Sequence, residues 1–158
     1  MKYTIPDVSA NVIQQCIEAL SKKEGDLKYI SEYAQVGIES VKRAIILGEQ
    51  LNFFIVEKDL IKLSPNCSSL LNHVDNNIQL LFKEALFNYK PFILICDYLL
   101  NDETTEESVR KTKVVFEIDS NVVIIQKTMS SLCKCFGVKT LNKEEIGKLL
   151  SQSKVQYS

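Results

Sequence analysis

Asp26–Leu63, DLKYISEYAQVGIESVKRAIILGEQLNFFIVEKDLIKL, holds the pattern that decides how the rest of the chain is read. Leu27, Ile30 and Ala34 recur on one side of a short helix of about Leu27–Ala34, and Asp26 can cap it by accepting from an orphan backbone N–H. Gln35-Val36-Gly37 has the length of a tight interhelical turn, with Gly37 expected to supply the positive φ such turns often need. A further helix, roughly Glu39–Gln50, follows. Ile38, Val41, Ala44, Ile45 and Leu51 mark its inward face, leaving Glu39, Ser40, Lys42, Arg43 and Gln50 outward. Asn52 ends it. Phe53–Val56 and Leu60–Leu63 are β-prone runs around Glu57, Lys58 and Asp59, which is the signal of a hairpin with a charged tip.

Working outward, residues 1–8 read as an irregular lead-in. Ser9 is placed to cap a first helix of about Ala10–Lys23, which buries Val12, Ile13, Cys16, Ile17 and Leu20 and is broken by Gly25. On the far side Ser64-Pro65-Asn66 closes the unit. Ser68–Asn88 is read as a connecting helix with Leu71, Val74, Ile78, Leu81, Phe82, Ala85 and Leu86 buried. Pro91 suits the first turn of the apolar helix PFILICDYLL, and Thr104 with Glu107 has the capping-box spacing for a helix of about Thr105–Phe116. Asp119-Ser120 is expected to cap another, about Asn121–Phe136, with Val122, Ile125, Met129, Leu132 and Phe136 inward. These last two form a second helix–turn–helix candidate whose outer face presents Gln126, Lys127, Ser130, Ser131 and Lys134. Lys143–Leu150 adds a short helix before a mobile tail.

Helix, tight turn, helix and hairpin across Asp26–Pro65, with the small residue Ala34 and the pair Leu47 and Leu51 ahead of the strand, resemble the winged helix-turn-helix superfamily. The expected fold is therefore mainly α with a small β-wing: a winged helix-turn-helix over 1–66, a helical second half over 67–142 with the further helix-turn-helix-like pair, and a terminal helix and tail over 143–158. A helical bundle with an incidental hairpin is the structural alternative. The whole order, closing on FGVKTL, resembles two-part winged-helix modules of bacterial or archaeal regulators and of defence- or ATPase-associated proteins.

Composition bounds what such a fold could do. The chain has 158 residues, 46% of them hydrophobic and 25% charged, as in ordinary globular proteins. Its longest apolar runs, Pro91–Cys96 and Val122–Ile125, fall far short of the roughly 20 residues that cross a bilayer. The start, MKYTIPDVS, lacks the apolar region of a secretory signal, so a cytoplasmic protein without membrane contact is expected. Five cysteines, Cys16, Cys67, Cys96, Cys133 and Cys135, share no CxxC spacing. That argues against a disulfide framework and a zinc knuckle. Cys133 and Cys135 would stand about 200° apart on a helix, so no common metal is expected there. His73, the lone histidine, reads as an exposed or half-buried helix residue.

No phosphate-binding loop, dinucleotide fingerprint, hydrolase elbow or zinc-protease motif is present, so no enzyme activity and no cofactor are expected. Asp102, Glu103, Glu106 and Glu107 have a simpler role at a helix N-terminus, where carboxylates favour the dipole by roughly 0.3–1 kcal/mol each. The net charge of −1 weighs against non-specific coating of nucleic acid but permits a small recognition module. Asp97–Asp119 is acidic, whereas Ser120–Ser158 carries six lysines against two glutamates.

The resemblance implies recognition of double-stranded DNA, with the second helix of the turn in the major groove. Ser40 would meet a base edge or phosphate, Lys42 a phosphate, and Arg43 a phosphate or a guanine edge. Gln35 would touch phosphate at the turn, Lys58 would reach out from the wing tip, and Lys127 and Lys134 would add contacts from the second pair. Such a protein would be a non-catalytic transcriptional regulator or the DNA-recognising subunit of a larger, defence-related system, working as a homodimer or with a partner protein. The competing expectation is an adaptor that uses the same fold to bind another protein, because Glu39, Glu49 and Glu57 offset the cations.

Overall fold

A computed structural model of the chain describes residues 3–73 and 78–157. The fold is mainly helical with a small antiparallel hairpin, in the order α1 (Ala10–Lys22), α2 (Leu27–Ala34), α3 (Ile38–Gln50), β1 (Phe54–Glu57), β2 (Leu60–Leu63), α4 (Pro65–His73), α5 (Ile78–Leu86), α6 (Lys90–Leu100), α7 (Thr105–Phe116), α8 (Val122–Lys134) and α9 (Lys143–Tyr157). Val74 and the side chain of His73 lie outside the described residues.

Local chemistry sets most of these boundaries. Ser9 accepts from the Val12 N–H, Asp26 from Tyr29 and Thr104 from Glu107, each satisfying an N–H that a helix start leaves without a partner. Two expected caps shift. Asn121, rather than Asp119-Ser120, caps α8 through the Ile124 N–H at 2.9 Å. Ser64 accepts from the Cys67 N–H at 3.1 Å and starts α4 at Pro65, three residues before the expected helix, with proline at a position where its missing N–H costs nothing. The α2–α3 turn also differs. Gln35 takes the left-handed conformation at φ 57°, and Gly37 caps α3 in extended backbone at φ −63°. The bend falls one step after the last helical residue, where the Ser31 carbonyl receives the Gln35 and Val36 N–H groups.

The hairpin pairs Phe54 with Leu63 through to Glu57 with Leu60, so only Lys58 and Asp59 form the turn and Lys58 adopts φ 59°. Gly25, ahead of α2, bridges to Ile61 with backbone hydrogen bonds of 2.8 and 3.0 Å in both directions. The tail also departs from expectation, since α9 runs to Tyr157 rather than stopping near Leu150.

A continuous hydrophobic core runs from Ile13, Ile30 and Val41 of the first helices to Phe92, Ile125 and Ile146 of the last. Phe53, between α3 and β1, meets Phe82 of α5 with ring centroids 5.1 Å apart and so carries the core across the chain's midpoint. Cys16, Cys67, Cys96 and Cys133 are buried in it, as expected of the first and third. The described residues include no helix long and apolar enough to span a membrane.

Candidate recognition face

Position along α3 decides what its outward side offers. Val41, Ala44, Ile45, Leu47 and Gly48 are buried, and Phe54 of β1 packs so closely on Gly48 that a Cβ there would overlap its ring. This contact is what draws the hairpin onto α3. Gly25 plays the matching part under Tyr29, whose ring occupies the space a side chain would need. Ile38 departs from the expected inward face: it shares a side with buried Val41 one turn later yet is 42% exposed at the very start of α3.

Between α3, the start of α2 and the hairpin lies an open groove of about 530 Å³. Leu27, Ile45, Ile46, Val56 and Ile61 form its apolar surface, and Ile46 and Val56 remain 43% and 36% exposed. Six charges border it: Asp26, Lys28, Lys42, Glu49, Lys58 and Asp59. Three are positive and three negative, so the border has no net charge. Lys42 lies 3.4 Å from Glu39 in an exposed pair, and Lys62 pairs with Glu57 on the hairpin at 3.2 Å. Arg43 and Lys58 are exposed and make no ion pair with a described residue.

Of the residues expected to contact a ligand, Lys42 and Lys58 therefore meet at one groove. Gln35 is exposed at the end of α2, Ser40 is half-buried in α3, and Arg43 stands beside Lys42 off the groove. Lys127 and Lys134 belong to a different environment. Lys127 reaches Asp7 at 3.3 Å, and Lys134 is exposed in the last turn of α8.

One side of α8 and its flanking residues meet the chain's own beginning, while Val123, Lys127 and Lys134 stay exposed. Thr128 Oγ1 donates to the Pro6 carbonyl at 2.9 Å, Ser131 Oγ accepts from the Ala10 N–H at 2.9 Å, and Ser120 Oγ donates to the Ile5 carbonyl. Gln14 of α1 donates to Cys135 Sγ at 3.2 Å. Tyr3 stands edge-on to both Phe116 and Tyr89. Residues 3–10 thus lie against the second helix pair, where Ser120, Thr128 and Ser131 bind their backbone.

Sequence reasoning missed Lys28 and Ile46 at the groove. Ile46 had a signal, being apolar but out of phase with the buried side of α3. It also left Gln50 among the outward polar residues. Gln50 instead accepts from the Thr4 N–H at 3.1 Å and from Tyr89 Oη at 3.0 Å, and donates to the Thr4 carbonyl, so it joins α3, the leading segment and α6. In comparison with known proteins, the chain matches no family model, no curated protein and no solved structure. The described residues bring together no group of three His, Cys, Asp or Glu side chains that could hold a metal ion.

Proposed function

We propose that the chain is a non-catalytic winged helix-turn-helix module, with α3 as the second helix of the turn and β1–β2 as the wing, that acts as an adaptor by docking a segment of another protein on the α3–wing groove. The backbone bridge from Gly25 to β2 supports the winged form, because it adds a third extended segment between α1 and α2. The observation that carries the function is the groove itself: exposed Ile46 and Val56 within a border of balanced charge. Contiguous apolar surface rimmed by polar residues marks places that bury themselves against protein, whereas apolar side chains exposed singly do not. A duplex would gain little from them, since its affinity comes mainly from neutralised phosphates. The test is selection of short random peptides displayed on phage against the whole chain. Selected peptides are expected to bind Ile46→Asp and Val56→Asp variants far more weakly; equal binding to both variants would sink the adaptor reading.

A second reading, recognition of double-stranded DNA, keeps one specific observation in its favour. Lys28, Lys42 and Lys58 come from three elements to the same groove, and Arg43 stands next to Lys42. Anisotropy of a labelled random duplex across a salt series tests it, with a log–log slope of roughly 0.9 for each phosphate contact. Changing Lys28, Lys42, Arg43 and Lys58 to glutamate should then abolish binding, and no binding at low salt rules DNA out.

A further inference from the structure

The border of the groove is neutral in total but not uniform along its length. Lys42, Ile45, Ile46 and Glu49 all line it from α3. Their spacing of three, one and three residues keeps them on one side of the helix, and the seven residues from Lys42 to Glu49 span about 10 Å at a rise of 1.5 Å per residue. The α3 wall of the groove therefore runs from a basic residue to an acidic one, with Ile46 between them. Asp26 with Lys28, and Lys58 with Asp59, are close in sequence and each contributes one charge of either sign. Glu39 draws Lys42 to 3.4 Å, but both side chains are exposed, and an exposed pair of this kind exchanges partners at small cost. The dipole of α3 has the same sense, positive toward its start and negative toward Gln50.

We infer that the groove takes a partner segment of matching polarity, with two neighbouring apolar side chains seated on Ile46 and Val56, a carboxylate at the Lys42 end and a lysine or arginine at the Glu49 end. This rests on the adaptor reading and adds the chemistry of its ligand. The apolar pair supplies the attraction, while the two charges fix which way round the segment lies, because the reversed orientation sets like charges against each other.

The experiment uses a synthetic peptide from the phage selection and two forms of the full chain, wild type and Lys42→Glu/Glu49→Lys. Exchanging the two charges on the protein is expected to weaken binding about tenfold, as two partly exposed ion pairs would allow. Exchanging the peptide's acid and base should restore affinity for the altered protein and weaken it for wild type. Matching thermal unfolding of the two forms shows that the fold is retained. A peptide that needs Ile46 and Val56 but ignores the charge exchange overturns the inferred polarity and leaves the adaptor reading standing. A peptide indifferent to Ile46→Asp and Val56→Asp overturns both.

Discussion

The α2–α3 and α7–α8 pairs begin from the same kind of sequence and end in different situations. Each is a capped amphipathic helix, a short bend with one residue in the left-handed region, Gln35 or Glu117, and a thirteen-residue second helix. Lys113 braces the second bend by donating to the Ile118 and Ser120 carbonyls at 2.7 and 2.8 Å. The outward side of α3 borders an open groove. One side of α8 meets residues 5–10 through Thr128 and Ser131, while Val123, Lys127 and Lys134 face outward and do not line that groove. A helix–turn–helix pattern therefore specifies a way of packing two helices, and whether the second helix recognises anything depends on what the rest of the chain lays beside it.

What the two pairs share can be broken by pH. Cys16 and Cys67 lie in the first half, Cys96 and Cys133 in the second; burial pushes the first three thiols from about 9 to about 12 and raises Cys133 as well. Unfolded thiols ionise near 9 while the folded ones hold their protons, so unfolding releases protons above that pH. The thiols' contribution to stability should be level below pH 9 and fall as pH rises from 9 toward 12, with both halves lost together. Urea unfolding across that range measures it; a flat profile would mean that the thiols are not sequestered.

Separate damage to each pair comes next in size. Gly48→Val forces a side chain into the ring of Phe54 and should cost about 3 kcal/mol in urea unfolding, as overpacking of a filled site does. It should also move the hairpin and weaken binding at the groove, whereas α8 keeps its contacts. Thr128→Val and Ser131→Ala act on the other pair. Each leaves a backbone group of the leading segment without its partner, for about 1–2 kcal/mol apiece, and leaves peptide binding unchanged. If either change weakened the groove, the two pairs would be coupled more closely than their contacts indicate.

The smallest expected effect is a gain. Gly37 occupies the cap position of α3 with no side chain to accept from its free N–H groups, in extended backbone that any residue adopts and with open space around it. Gly37→Ser should stabilise by about 0.5 kcal/mol through a new cap bond. No gain in urea unfolding would show that the first turn of α3 is already satisfied.

Local signals made most of the fold legible. Asp26, Thr104 and Asn52 bound their helices where the sequence placed them, because a cap is chemistry between neighbours. The buried sides of α1 and α5 followed from their periodicity. Gln35 for Gly37 at the bend and Asn121 for Asp119-Ser120 at the cap were errors of one or two residues among side chains of similar capability. The recognition face was harder to read. Lys42, Arg43 and Lys58 could be named as outward cations, but not that Lys28 would join them or that Glu39 and Asp7 would pair with Lys42 and Lys127.

The sequence by itself determined the order of elements and the sides of the helices that pack, since both follow from spacing within a few turns. Tertiary structure alone decided which outward surface stays open. Asp7 meets Lys127, Ala10 meets Ser131 and Thr4 meets Gln50 across separations of 120, 121 and 46 residues, and no local pattern encodes such pairings. Packing of the hairpin toward α3 and the start of α2 leaves Ile46 and Val56 exposed in one groove, so the candidate site exists only once separate parts of the chain have met.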